Sequence, residues 1–293
     1  MKIVILKCIN YYIDVKTSLC YTFFNTKIRM TKGEKAMAIK ISIANQKGGV
    51  GKTTTALCLT DAMNHCGYKT LLIDLDPQCN STSIYKAKME NENTILDIMN
   101  NSCAAKEAIQ NTELGDIIPG DKLLPTIESQ VNARMDRYIV LKKQLVDIEK
   151  DYDFIVMDTP PNLGVYMLNA LSCSDGCICP IRAEKFAVDG LNLLLSTIND
   201  VRENVNPNIK IYGILLNAYD IRTSLGRNTW KVLPDMGEKY NFSVFETPIR
   251  VCQPVSDSQA LQVSLFDAFP KSNAAVDFAN VLKELLEKCN IGG

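Results

Sequence analysis

Lys47-Gly-Gly-Val-Gly-Lys-Thr-Thr54 is the stretch that decides how this 293-residue chain folds. The run before it, Ala38-Ile-Lys-Ile-Ser-Ile-Ala-Asn45, alternates apolar and polar residues and is rich in Ile. It predicts a buried strand ending at Asn45. After it, Ala56, Leu57, Leu59, Thr60 and Met63 recur at helical spacing, and Gly67 supplies a stop. Strand, glycine-rich loop and helix in that order are the setting of a phosphate-binding loop.

The chemistry of such a loop lies in its backbone. Gly48, Gly49 and Gly51 can turn successive N–H groups into one concavity, and Val50 and Thr54 complete the set expected to line it. The free N–H groups at the helix start add donors and a partial positive charge. Lys52 is expected to lie along β- and γ-phosphates. The Thr53 hydroxyl is expected to hold Mg²⁺, a hard cation that prefers oxygen.

Working outward, Lys69-Thr-Leu-Leu-Ile-Asp-Leu-Asp76 reads as a second strand, buried on both faces, that ends in two carboxylates. Ligands of open parallel sheets sit at the carboxyl ends of strands. Asp76 is therefore the candidate for orienting an attacking water, and Asp74 for the Mg²⁺ environment. Asp153-Phe-Ile-Val-Met-Asp158, followed by Thr159-Pro160-Pro161, is a further buried strand ending in an acid. It would deliver Asp158 beside the Mg²⁺ water shell.

Thr94 reads as an N-cap before a helix over 95–99, with a short helix over 104–109 and a strand over 116–119. Helical patterns run over 123–133 and 136–150. A strand over 209–216 ends at Asn217, whose amide could pair with an adenine edge. A helix over 227–240, a last strand over 244–249 and a final helix over 273–288 follow. Strands separated by helices predict an α/β fold: a doubly wound, mostly parallel sheet with helices on both faces.

The totals fit one domain of ordinary size, with 46% hydrophobic and 22% charged residues. A net charge of −1 gives no global attraction to nucleic acid, so any DNA contact needs a local patch. The eleven cysteines are scattered and read as reduced cytosolic thiols. Cys173, Cys177 and Cys179 include no C-x-x-C pair, and they read as small buried hydrophobes rather than metal ligands. The single histidine, His65, makes His-based chemistry improbable.

Residues 1–36 differ from the rest: basic, with Tyr11, Tyr12, Tyr21, Phe23 and Phe24 interleaved. Their apolar run is too short for a signal core or a membrane span. They read as an N-terminal extension ahead of a domain over 37–293. Three readings stand for them: a packed extension, a basic arm on DNA, or a leader that is not translated. The last is favoured, because Met37 opens the first strand.

The loop departs from the ordinary G-x-x-x-x-G-K-[ST] pattern. Its first glycine position is Gln46, and Lys47 is added. This form resembles the deviant Walker A loop of the ParA/MinD family of P-loop ATPases. Leu71 to Gln78 resembles the family's L-L-I-D-x-D-P-Q block, with Cys79 where the family usually has Gly. Asp158 to Gly164 and Pro180 to Leu191 match two further blocks, the second at the family's dimer face.

The resemblance implies a ParA/Soj-like partition ATPase that uses ATP and Mg²⁺. Lys47 would reach the partner's nucleotide in an ATP-bound homodimer, acting in catalysis with Lys52 and Asp76. The dimer would bind DNA without sequence preference, and a ParB-like DNA-binding protein would stimulate hydrolysis. The D-x-R-T-x-L segment at 220–225 points to Arg222 as a DNA contact. Pro254 stands where the family tends to carry a basic residue, leaving Arg250 as second candidate. Such a protein would work in the cytoplasm, on the nucleoid. The alternative is a MinD-like membrane ATPase, which shares every nucleotide motif. The ending Glu287-Lys-Cys-Asn-Ile-Gly-Gly lacks the basic, bulky-apolar character of a membrane-surface helix.

Overall fold

The computed structural model describes residues 37–184 and 187–289. The expected extension over 1–36 therefore lies outside the described residues, as do Lys185 and Phe186 of the block at 180–191.

Seven strands form one sheet: β1 Ile39–Ile43, β2 Thr70–Asp74, β3 Gln110–Thr112, β4 Gly115–Ile118, β5 Phe154–Asp158, β6 Gly176–Arg182 and β7 Lys210–Asn217. Their order is β3-β4-β2-β5-β1-β6-β7, and only β3 runs antiparallel. The helices are α1 Lys52–His65, α2 Asn80–Ile84, α3 Ile95–Asn100, α4 Leu124–Asn132, α5 Val140–Leu145, α6 Val165–Cys173, α7 Ala187–Asn204, α8 Ser224–Tyr240, α9 Gln253–Leu261, α10 Leu265–Ala268 and α11 Asn273–Lys288.

The period-2 alternation of strands divides the core. Ile41, Ile43, Leu72, Ile117, Val156, Ile178 and Leu215 face one side, where α1 and α11 cover them. Leu71, Ile73, Ile118, Ile155 and Met157 face the other side, under α3 to α6. Cys177, Cys179, Ile214 and Leu216 continue that side under α7. Helices cover both faces, so strands buried on both sides are apolar throughout. The doubly wound reading holds.

Cys177 and Cys179 project to one face, as their spacing requires, with their sulfurs 3.6 Å apart. Both are fully buried, and Cys173 lies in the neighbouring cluster.

Two expectations need correction, and one strand goes unannounced in the sequence. Residues 244–249 make no strand; they meet β7 through an isolated bridge of Val244 with Ile214 and through the Ile249 N–H on the Leu216 carbonyl at 2.8 Å. The Glu284 carboxylate takes the N–H groups of Glu246 and Thr247, at 2.7 and 3.0 Å, which a ladder would otherwise use. The helix expected over 136–150 is broken into α5 and a short 3₁₀ turn, Glu149–Asp151. The polar β3 carried no apolar alternation to announce it.

Register places the site. Ile43, Asp158 and Asp74 pair in one line across β1, β5 and β2. The loop after β1, the acid ending β5 and the acid ending β2 therefore meet at one edge.

Candidate phosphate and metal site

Gly49 and Gly51 have φ of 74° and 94°, the left-handed region where side chains are disfavoured. A Cβ on Gly51 would lie 2.5 Å from the Asn217 amide nitrogen, so glycine is required there twice over. Gly51 caps α1, and the Thr55 N–H and hydroxyl both bond its carbonyl, at 2.8 and 2.7 Å. Gly48 and Gly49 are exposed at the mouth of the loop, and Val50 is buried beneath it.

The two lysines of the loop face different ways. Lys52 is buried, and its Nζ donates to the Lys47 carbonyl at 2.9 Å. Burial lowers its pKa, while Asp158 and Asp76 pull it back up. The Lys47 side chain is more than a third exposed and pairs with Glu184. The Lys47 N–H is held by Asn45 Oδ1 at 2.9 Å, and Asn45 Nδ2 is anchored to the Pro180 carbonyl at 2.8 Å. The loop's entrance is thereby tied to β6.

Asp158 is fully buried. Its Oδ2 accepts from the Ser81 hydroxyl at 2.8 Å, and Thr53 also hydrogen-bonds it. Its Oδ1 is buried with no partner among the described residues. Burial and then the charge of Asp74 raise its pKa, against the hydrogen bonds from Ser81 and Thr53. An orphaned buried carboxylate oxygen beside a threonine hydroxyl suits a hard cation that keeps several waters and takes few protein ligands. Among the described residues, no group of three or more His, Cys, Asp or Glu is arranged to hold a metal, and a Mg²⁺ site of this kind needs none.

Asp74 does not share this opening. Its Oδ1 accepts from the Asp76 N–H at 3.1 Å, and its Oδ2 from the Thr82 N–H and hydroxyl at 2.9 and 2.7 Å. The Gly120 N–H in turn donates to the Thr82 hydroxyl at 2.7 Å. Its oxygens brace the Asp76 turn, α2 and the end of β4. Asp76 itself is buried at the site, with Oδ1 accepting from the Gln78 N–H at 2.9 Å.

Cys79, in the family's glycine position, adopts φ 53° and caps α2 while buried. The turn keeps a glycine-like backbone at a non-glycine residue, which costs about 1 kcal/mol.

The Asn217 amide nitrogen donates inward, to Thr55 Oγ1 at 2.9 Å and to the Val50 and Gly51 carbonyls at 3.3 Å each. These bonds hold the loop in shape. Gln259 of α9 reaches the same helix, donating to the Thr54 hydroxyl at 3.2 Å. Sequence reading missed Ser81, Thr82 and Gln259, because a lone Ser, Thr or Gln carries no pattern.

The candidate DNA contacts are brought together by the bridge between Tyr219 and Arg250. Arg222 is the more exposed, with 83% of its side chain accessible, and its guanidinium forks onto Asp220. That contact holds the Asp220 carboxyl down at about 2. Arg250 forks onto the buried Asp277 of α11 and is less available than the sequence implied.

A family model described as an AAA domain matches residues 38–211. The chain is 34% identical to the sporulation initiation inhibitor protein Soj of Bacillus subtilis, over 84% of this chain and 97% of that one. It resembles the crystal structure of a putative plasmid partition protein from Borrelia burgdorferi bound to AMPPNP, at TM-score 0.73 and 28% identity, covering 86% of this chain and 99% of that one. It also resembles cobyrinic acid a,c-diamide synthase from Mycobacterium smegmatis with bound ADP and magnesium, at TM-score 0.75 and 30% identity, covering 87% and 96%.

Proposed function

The chain belongs to the ParA/Soj-like partition ATPases of the ParA/MinD family, and on that premise we propose that it is a Mg²⁺-dependent ATPase that segregates plasmid, chromosome or mobile-element DNA. The observation that carries the reading is the opposed setting of the two loop lysines. Lys52 turns inward over its own loop, and Lys47 turns outward from it to Glu184.

In this reading the N–H groups over 48–54 and the Lys52 ammonium bind the phosphates of ATP. Thr53 and Asp158 hold the metal. Mg²⁺ supplies neutralisation of charge on the phosphate oxygens. Asp76 orients the attacking water, and Lys47 leaves Glu184 to stabilise the phosphates of the partner. Hydrolysis here is positioning and charge stabilisation, with no covalent step on the protein. The ATP-bound homodimer binds DNA nonspecifically at the nucleoid through Arg222 and its neighbours. A ParB-like partner stimulates turnover and releases it.

Among the described residues no helix is long and apolar enough to cross a membrane. Co-sedimentation with DNA and with lipid vesicles, each in ATP and in ADP, tests the proposal. The expected result is pelleting with DNA in ATP alone. Pelleting with vesicles and not with DNA overturns it in favour of a membrane-positioning ATPase.

A further inference from the structure

The described chain has one buried acidic oxygen at the site without a partner, Oδ1 of Asp158, and a donor fixing the oxygen beside it. That donor is Ser81, on α2, a helix that starts four residues after Asp76. We infer that Ser81 is a positioning residue for the metal: it clamps Oδ2 of Asp158 so that Oδ1 points at the cation. The inference rests on the proposed metal role of Asp158.

A carboxylate has two oxygens and rotates about one bond. With neither oxygen held, either can turn to the cation, and the group loses entropy when it binds. The Ser81 hydroxyl is fully buried and donates at 2.8 Å, which is the length of a good hydrogen bond. Its acceptor is a carboxylate, so the bond is charge-assisted. Thr53 alone is a poor substitute, because its hydroxyl oxygen is the one expected on the metal.

Ser81 is itself held in place. Thr82, its neighbour, is locked to Asp74 by two hydrogen bonds and to β4 through Gly120. From the other side, Gln262 donates to the Ser83 carbonyl at 2.7 Å. The clamp therefore stands on a braced turn, and the same turn follows the water-orienting Asp76. Groups that orient a metal ligand from outside its shell typically change metal affinity about 10–100-fold when removed.

The test is ADP binding by calorimetry on the full chain, across a Mg²⁺ titration and in chelator, beside thermal melts. Ser81→Ala is expected to need about tenfold more Mg²⁺ for half-maximal enhancement of ADP binding. Its ADP affinity in chelator should stay within about twofold of the parent, because the clamp acts only through the metal. Ser81→Cys keeps the shape with a weaker donor and should fall between the two, which covers the case in which Ser81→Ala does not fold. An unchanged Mg²⁺ requirement overturns the inference. So does an equal loss of ADP affinity with and without Mg²⁺, which would make Ser81 a support of the loop as a whole. Asp158→Asn separates the two levels. If it leaves the Mg²⁺ requirement unchanged, the metal role of Asp158 falls; if it raises the requirement and Ser81→Ala does not, only the clamp falls.

Discussion

Asp74 and Asp158 lie fully buried at the ends of neighbouring strands, and ionising both without a cation is costly. Burial raises both pKa values; the charges of Asp74 and Asp76 raise that of Asp158 further, and the charge of Asp76 that of Asp74. A group with a raised folded pKa gives stability that is full below its unfolded value and lost as pH rises through the folded one. The metal-free protein should therefore melt at lower temperature as pH goes from mildly acidic to neutral. Asp136 and Asp220, held down at about 2, act with the opposite sign, but only at stronger acid. Asp158→Asn should flatten the slope and be no less stable than the parent at neutral pH without Mg²⁺, a difference of roughly 1–3 kcal/mol at the alkaline end. A slope unchanged in the variant would place the titration elsewhere. Asp76→Ala should retain ATP binding and the ATP-bound dimer while slowing hydrolysis by about 10²-fold or more, since orienting water matters only at the chemical step. A variant that is monomeric in ATP, or unchanged in turnover, would reassign the role. The sequence placed all three acids at strand ends but could not rank them. Their difference is made by Ser81 and Thr82, whose hydroxyls choose Asp158 and Asp74 respectively.

Among the elements, the loop from Ala218 to Thr223 and the segment from Ile249 to Val251 are laced together. Tyr219 N–H bonds the Ile249 carbonyl at 2.8 Å, and Val251 N–H bonds the Tyr219 carbonyl at 3.0 Å. Each brings one arginine, and each arginine has a carboxylate. The partners differ in kind. Asp220 is a neighbour on the same loop, and a solvated pair of this sort contributes little to stability. Asp277 belongs to α11 and is 3% exposed, so truncating the Arg250 side chain leaves a buried acid with the Arg250 N–H, at 3.0 Å, in place of a guanidinium fork. Arg250→Ala should cost about 2 kcal/mol in denaturant melts, whereas Arg222→Ala should melt like the parent. On DNA the ranking reverses. Arg222→Ala should weaken ATP-dependent binding evenly across sequences and reduce the log–log salt slope by about two units, one phosphate from each subunit. A mobility shift at several salt concentrations measures this, beside sizing in ATP. An unaltered affinity would move the basic face, and loss of the dimer would make Arg222 an interface residue. The sequence conveyed the elements that carry long apolar periods, β1, β2, β5, β7 and α11. It conveyed β3 poorly, because Gln110-Asn-Thr112 is polar, and it overstated 244–249, whose Phe245 and Ile249 are core residues without a ladder.

At the scale of the molecule, the described fold begins at the central strand of the sheet. Ala38 N–H bonds the Glu149 carbonyl at 2.8 Å and Ile39 N–H bonds the Asp153 carbonyl at 3.0 Å, so the central strand is fixed from its first residue by the segment that leads into β5. β1 pairs with β5 from Ile39 to Ile43 and with β6 from Ile41 to Ile43, and the described strands and helices pack their apolar side chains into three core clusters. Every side chain assigned to phosphate, metal or water hangs from that sheet edge. A boundary at 37 is proposed because Met37-Ala-Ile-Lys-Ile opens the alternating run that leads into the loop. Deleting residues 1–36 should therefore leave the melting temperature within a few degrees of the full chain and ATP hydrolysis intact. DNA binding is the discriminating readout. A net charge of −1 over the whole chain includes the basic segment, so the remaining domain is more acidic, and its attraction to phosphate must come from a local face. If the truncated protein hydrolyses ATP and binds DNA with the same salt slope, the segment is dispensable to both. A shallower slope with hydrolysis unchanged would make it a basic arm on DNA. Failure to fold would make it part of the domain and overturn the boundary at 37.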